Sequence, residues 1–140
     1  MDWVEATSVK AALYDNDITP DNDVTAANSA YNVGQWVLTG NEVIDTSGGG
    51  ADWPAGGVNL ASRTVDRSVA DFVKLDANDT ASGATADILN AFGCLVYADS
   101  IATPVADQGF CYNYFGGANS VTGGTFTIVW HTNGVIRFAL

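Results

Sequence analysis

Short apolar runs, each bounded by Gly, Asn, Asp and Thr, dominate the 140 residues. None persists at a helical period for long, and that pattern predicts strands. We place them near Ser8–Tyr14, Gly34–Val37, Val58–Thr64, Asp71–Leu75, Gly93–Tyr97, Phe110–Phe115, Thr125–His131 and Val135–Leu140. Thr46–Gly57, "TSGGGADWPAGG", reads as a long flexible loop inside one domain, because neither side could close a core alone. Ala84–Phe92, "ATADILNAF", suggests one helical turn capped by Thr85. No internal repeat is visible. The number and spacing of the runs predict an all-β fold, an antiparallel β-sandwich or jelly-roll-like barrel with long Gly/Asp-rich loops. It would form a single domain over 1–140, with 1–7 as an N-terminal arm.

The last two runs specify a pairing. Phe126, Ile128 and Trp130 alternate onto one face of their strand, and Ile136, Phe138 and Leu140 onto one face of the next. A three-residue loop, Thr132-Asn133-Gly134, pairs Trp130 with Ile136, Ile128 with Phe138 and Phe126 with Leu140. Gly134 then takes the left-handed position that such loops end on. A one-residue slip would turn every side chain over.

Charge narrows the partners. The formal net charge is −11, and the five cations Lys10, Lys74, Arg63, Arg67 and Arg137 are scattered. This argues strongly against nucleic acid and anionic membranes as partners, since phosphate binding needs clustered Lys and Arg. Fourteen of the sixteen acids are Asp, which prefers turns. No acid follows Gln108, so that end reads as core. The start, "MDWVEATSVKAALYD", has no basic residues before an apolar run, and no stretch approaches bilayer length. The expectation is a soluble protein made in a cytoplasm.

Chemistry is sparse. In "LYDNDITPDND", Leu13–Asp23, a calcium loop counted from Asp15 would find Asp17 and Thr19 in place. Pro20 then stands where Gly is needed and Ala26 where the bidentate Glu is needed. Thr19-Pro20-Asp21 fits a turn, so a solvated loop is favoured over an irregular calcium site. Cys94 and Cys111 would face each other in a hairpin centred near Ala102–Thr103. Free buried thiols are favoured over a strained cross-strand disulfide. His131 alternates with Trp130 and should point outward. With one histidine and no Gly-x-Ser-x-Gly elbow, no triad is signalled. No carboxylate pair stands out for glycoside chemistry. Trp3, Trp36 and Trp53 fall in or near loops, as anchors for a protein interface, stacking platforms for sugars, or plugs for the core ends. Catalytic, cofactor and metal residues are all expected to be absent.

The segments "VKAALYDNDITPDND", "GGVNLASRTV", "ILNAFGCLVYAD", "FCYNYFGG" and "GGTFTIVWHTNGVIRFAL", in that order, resemble a family of small virion structural proteins of tailed bacteriophages. The resemblance runs from about Val9 to Leu140. It implies a non-enzymatic structural protein, above all a capsid decoration (cement) protein. Such a protein would bind the major capsid protein on the outer capsid surface of the virion as a homo-oligomer, after synthesis in the host cytoplasm. Alternatives are a minor tail or fibre component, a carbohydrate-binding host-attachment module, and, least favoured, a small hydrolase built on an Asp pair.

Overall fold

The computed structural model describes residues 3–4, 8–21, 23–68 and 70–140. Met1, Asp2 and residues 5–7, on which most of the expected N-terminal arm rests, lie outside the described residues. The chain is mostly β, with 40% strand and 8% helix. In chain order the strands are β1 (Lys10–Tyr14), β2 (Glu42–Val43), β3 (Val58–Asn59), β4 (Thr64–Asp66), β5 (Phe72–Asp76), β6 (Thr80–Ala81), β7 (Ala86–Tyr97), β8 (Gly109–Gly124), β9 (Thr127–Ile128) and β10 (Ile136–Ala139). The main sheet runs β2-β1-β7-β8, with β3 also pairing β1. A second sheet runs β10-β5-β4 and a third pairs β6 with β9. All these pairings are antiparallel. Among the described residues no sheet closes into a barrel.

Within the main sheet, β1 and the end of β7 are buried on both faces, and the side-chain period of two sorts their residues. Ala11 and Leu13 of β1, with Cys94 and Val96 of β7, enter a large core. Trp3, Trp53, Leu60, Phe126, Ile128 and Val135 fill that core from the loops and outer strands. The alternate residues Ala12, Tyr14, Leu95 and Tyr97 enter a smaller core on the opposite face. Its cover is not a sheet but the irregular stretch that supplies Ile18, Tyr31 and Trp36. Within that stretch, Ala26–Ser29 and Gly34–Trp36 form 3-10 turns. Gly57 lets the chain cross β1 closely: at φ +76°, any Cβ there would collide with the Ala11 carbonyl.

Several expectations are corrected. Gly34–Val37 is a turn rather than a strand, begun by Gly34 at φ +58°. Ala84–Phe92 is not helical, because β7 starts at Ala86. Ala86, Ile88 and Ala91 are fully buried in the large core, and that tertiary burial overrides the local pattern. Val58–Thr64 divides into β3 and the start of β4, with Ser62 at φ +53° between them.

The final hairpin does not form. Phe126, Ile128 and Trp130 do share the core face while Val129 stands 73% exposed. Yet Ile128 pairs with Thr80, and Phe138 pairs with Val73. Gly134 takes the expected left-handed conformation (φ +86°), and its amide donates to the His131 carbonyl at 2.7 Å. The chain then leaves for another sheet, as the Val135 amide donates to the Leu75 carbonyl at 2.9 Å. Phe138 and Leu140, expected in the core, are 51% and 85% exposed. The acid-free C-terminal stretch is also not simply core. No residue of β8 is fully buried.

Candidate functional site

The three tryptophans singled out in the sequence are all in the interior. Trp3 is 4% exposed, Trp36 5% and Trp53 0%. The Trp3 indole donates to the Asp76 carbonyl at 3.1 Å and its ring meets Phe110 edge-on. Trp53 meets Phe126 edge-on, with ring centroids 5.7 Å apart. None stands out as an exposed platform: Trp3 and Trp53 share the large core, and Trp36 belongs to the smaller one.

The Asp15–Asp23 loop folds on its own carboxylates. Asp15 accepts the Asp17 amide at 2.9 Å, and Asp21 accepts the Asp23 amide at 2.8 Å. These are local side-chain turns. The Thr19 amide donates to the Gln35 side chain at 2.9 Å, which ties the loop to the 3-10 turn ahead of Trp36. Among the described residues no group of three or more His, Cys, Asp or Glu side chains is placed to hold a metal ion.

The β7–β8 hairpin forms as expected, but its register sets Cys94 opposite Asn113 and Cys111 opposite Val96. The thiols are therefore offset rather than directly facing, and both are free. Burial raises the Cys94 thiol pKa and pushes that of Cys111 up to about 11. His131 is exposed, and its Nδ1 accepts the Asn133 amide at 3.0 Å.

Two carboxylates carry structural loads that the sequence did not signal. Asp45, 2% exposed, accepts the amides of Asp87 (2.8 Å), Ser47 (2.9 Å) and Asp52 (3.3 Å) and the Ser47 hydroxyl (2.7 Å). Donation from the Asp87 amide leads the effects that hold its pKa down to about 2. Glu42 accepts the Tyr31 hydroxyl at 2.8 Å and the Gly56 amide at 2.7 Å. Burial outweighs both bonds and raises its pKa. Tyr31 stacks on Tyr97, centroids 4.7 Å apart, and the Tyr97 hydroxyl donates to the Gly56 carbonyl at 2.8 Å. These groups are occupied with holding loops to the sheet.

What remains open is an edge. Among the described residues, β8 pairs along one side only, with β7. Its regular part is Cys111–Tyr114, paired with Gly93–Val96. Beyond it, Ala91 pairs with Asn119, so five steps on β8 match two on β7 and the strand bulges outward. Among the described residues, no other backbone hydrogen bond reaches Cys111–Tyr114.

Beside this edge lies a cleft of about 230 Å³. Leu95 and Tyr112 line it from the sheet side, and Pro20, Asp21, Val24, Gln35 and Trp36 from the loop side. Trp36 and Tyr112 lie with ring centroids 5.3 Å apart. Burial pushes the Tyr112 hydroxyl up to about 12, with a smaller contribution from the charge of Asp15. The Trp36 Nε1 has no acceptor among the described residues. Sequence reasoning missed this place. The available signal was "CYNYF" in a charge-free run, where Tyr112 and Tyr114 alternate on one face of a strand.

No protein-family model, curated protein or solved structure matches this chain.

Proposed function

We propose that this chain is a non-enzymatic capsid decoration protein of a tailed phage, built as an open β-sandwich. It would bind the outer surface of the major capsid lattice in many copies. The observation that carries this reading is the segregation of charge. Sixteen acids crowd the chain up to Asp107, while β8, β9 and β10 together carry only the cation Arg137. Those strands are also largely at the surface: every residue of β8 is partly or fully exposed. An uncharged polar surface of Asn, Ser, Thr, Gly and Tyr suits a wet protein interface, because docking there desolvates no carboxylate. The acidic remainder discourages adhesion to DNA. Binding only the assembled shell would stabilise that shell by mass action.

The resemblance to small virion proteins points the same way. The test is the number of copies per major capsid subunit in purified virions, with heads and tails separated. Many copies in the head fraction are expected. A few copies in the tail fraction would replace decoration with the minor tail reading.

A further inference from the structure

We propose that the cleft beside β8 receives an extended segment of a partner chain, which adds as a strand to Cys111–Tyr114. The segment would set one apolar side chain against Trp36, Leu95 and Tyr112, with a Lys or Arg beside Asp21. The partner's identity as the capsid lattice rests on the reading above; the cleft's preference for such a segment does not.

Four observations converge. First, natural edge strands are usually blunted by charge, proline or bulges. β8 contains neither charge nor proline, and the register irregularities on either side, between Gly109 and Cys111 and after Tyr114, leave Cys111–Tyr114 regular. The stretch left regular is a short ladder with one side filled. Second, the cleft lies directly beside that stretch, lined by Gly109, Phe110, Cys111 and Tyr112. Strand addition gives affinity through main-chain bonds, while a pocket for alternate side chains gives selectivity. Third, the size suits this use. A volume of 230 Å³ is the share of about eight waters, enough for one or two aliphatic side chains and too little for a folded element.

The fourth observation is charge. Asp21 lines the loop wall, Asp15, Asp17 and Asp23 belong to the same loop, and no cation occurs between Lys10 and Arg63. The ion pairs of Lys10 and Lys74 go elsewhere, to Asp99, Asp66 and Asp76. A second copy of this chain would bring more carboxylates to the wall. A segment with a basic residue next to its apolar anchor would be drawn to it instead. Charge complementarity therefore favours a basic-apolar extended segment over self-pairing.

The probe is a library of short linear random peptides selected on the intact protein, with Val24→Trp as counter-target. Val24 is half-exposed in the loop wall, so a larger ring should fill the cleft without entering a core. Expected winners alternate, with a branched apolar residue flanked by Lys or Arg. They should lose about tenfold in affinity on Val24→Trp and on Asp21→Lys, and weaken with added salt. Bound peptide should slow hydrogen exchange at Cys111–Tyr114. Unchanged melting of Asp21→Lys, at an exposed position, separates lost binding from lost fold.

Winners that bind Val24→Trp and Asp21→Lys as tightly as the wild type would overturn the proposal, as would no winners at all. Dimerisation that slows exchange at the same amides would overturn it in favour of a second copy. Heads that bind the protein while these amides exchange unchanged would also overturn it, yet leave decoration standing. Peptide binding without head binding would support the cleft and remove its lattice partner.

Discussion

The carboxylate of Asp45 accepts the backbone amide of Asp87 at 2.8 Å, across forty-two positions of sequence. It thereby fixes the glycine-rich loop to the start of β7. A carboxylate held by several donors is stabilised in its charged form. Its folded pKa, about 2, lies below the ordinary 3.8. The contribution is therefore complete above about pH 4 and is lost as pH falls towards 2. Asp45→Asn should melt lower than the wild type at neutral pH and show a shallower fall between pH 4 and 2. Parallel melting curves across that window would remove Asp45 as the acid-sensitive anchor.

Glu42 works in the opposite sense. Its pKa is raised, so the folded state favours the protonated form. That contribution is full below the ordinary value of 4.5 and declines as pH rises through the folded pKa. Glu42→Gln keeps an acceptor for Tyr31 and Gly56 and resembles the protonated acid. The variant should gain stability relative to the wild type as pH rises from 4 to 8, read from denaturant midpoints at several pH values. A constant difference would show that the burial of Glu42 is not what sets the profile.

Trp53 tests whether the tryptophans are core or binding surface. Its side chain is fully buried against Phe126, and truncation leaves a cavity. Trp53→Ala should cost about 3–5 kcal/mol in urea unfolding. A loss below about 1 kcal/mol, an amount ordinary at surface positions, would place the ring outside the core.

The thiols give an independent check on the β7–β8 register. Cys94 is buried and Cys111 half-buried, both with raised pKa values, and the thiolate is the reactive form. A native sample should react slowly with an aromatic disulfide reagent at pH 7.5, and denaturant should release two thiols. No release on unfolding would mean that the pair is joined.

Much of the fold was legible where one period of alternation met one buried face. β1 and β5 fall within two residues of the expected runs, and the β7–β8 hairpin appears at its expected place. The failures are physical. "ATADILNAF" carries too few residues to choose a state locally, and burial of Ala86 and Ile88 chose strand. The end of the chain alternates correctly, but alternation does not name a partner, and β5 and β6 took β10 and β9. The cleft was illegible for a related reason. It joins residues near 20 and 36 to residues near 110, and no local pattern records that meeting.

The place of β1 has a consequence for how the chain is made. β1 lies between β2 and β7, with Lys10 opposite Tyr97 and Tyr14 opposite Gly93. β1 thus finds its main partner only after residue 97 has left the ribosome. Until then Ala11, Leu13 and Tyr14 have only the short β2 and β3 to pair with. Such long-range pairing slows folding, because the intervening chain must close before the contact rewards it. Nascent chains arrested before β7 should be protease-sensitive throughout, with protection arriving in one late step rather than growing strand by strand.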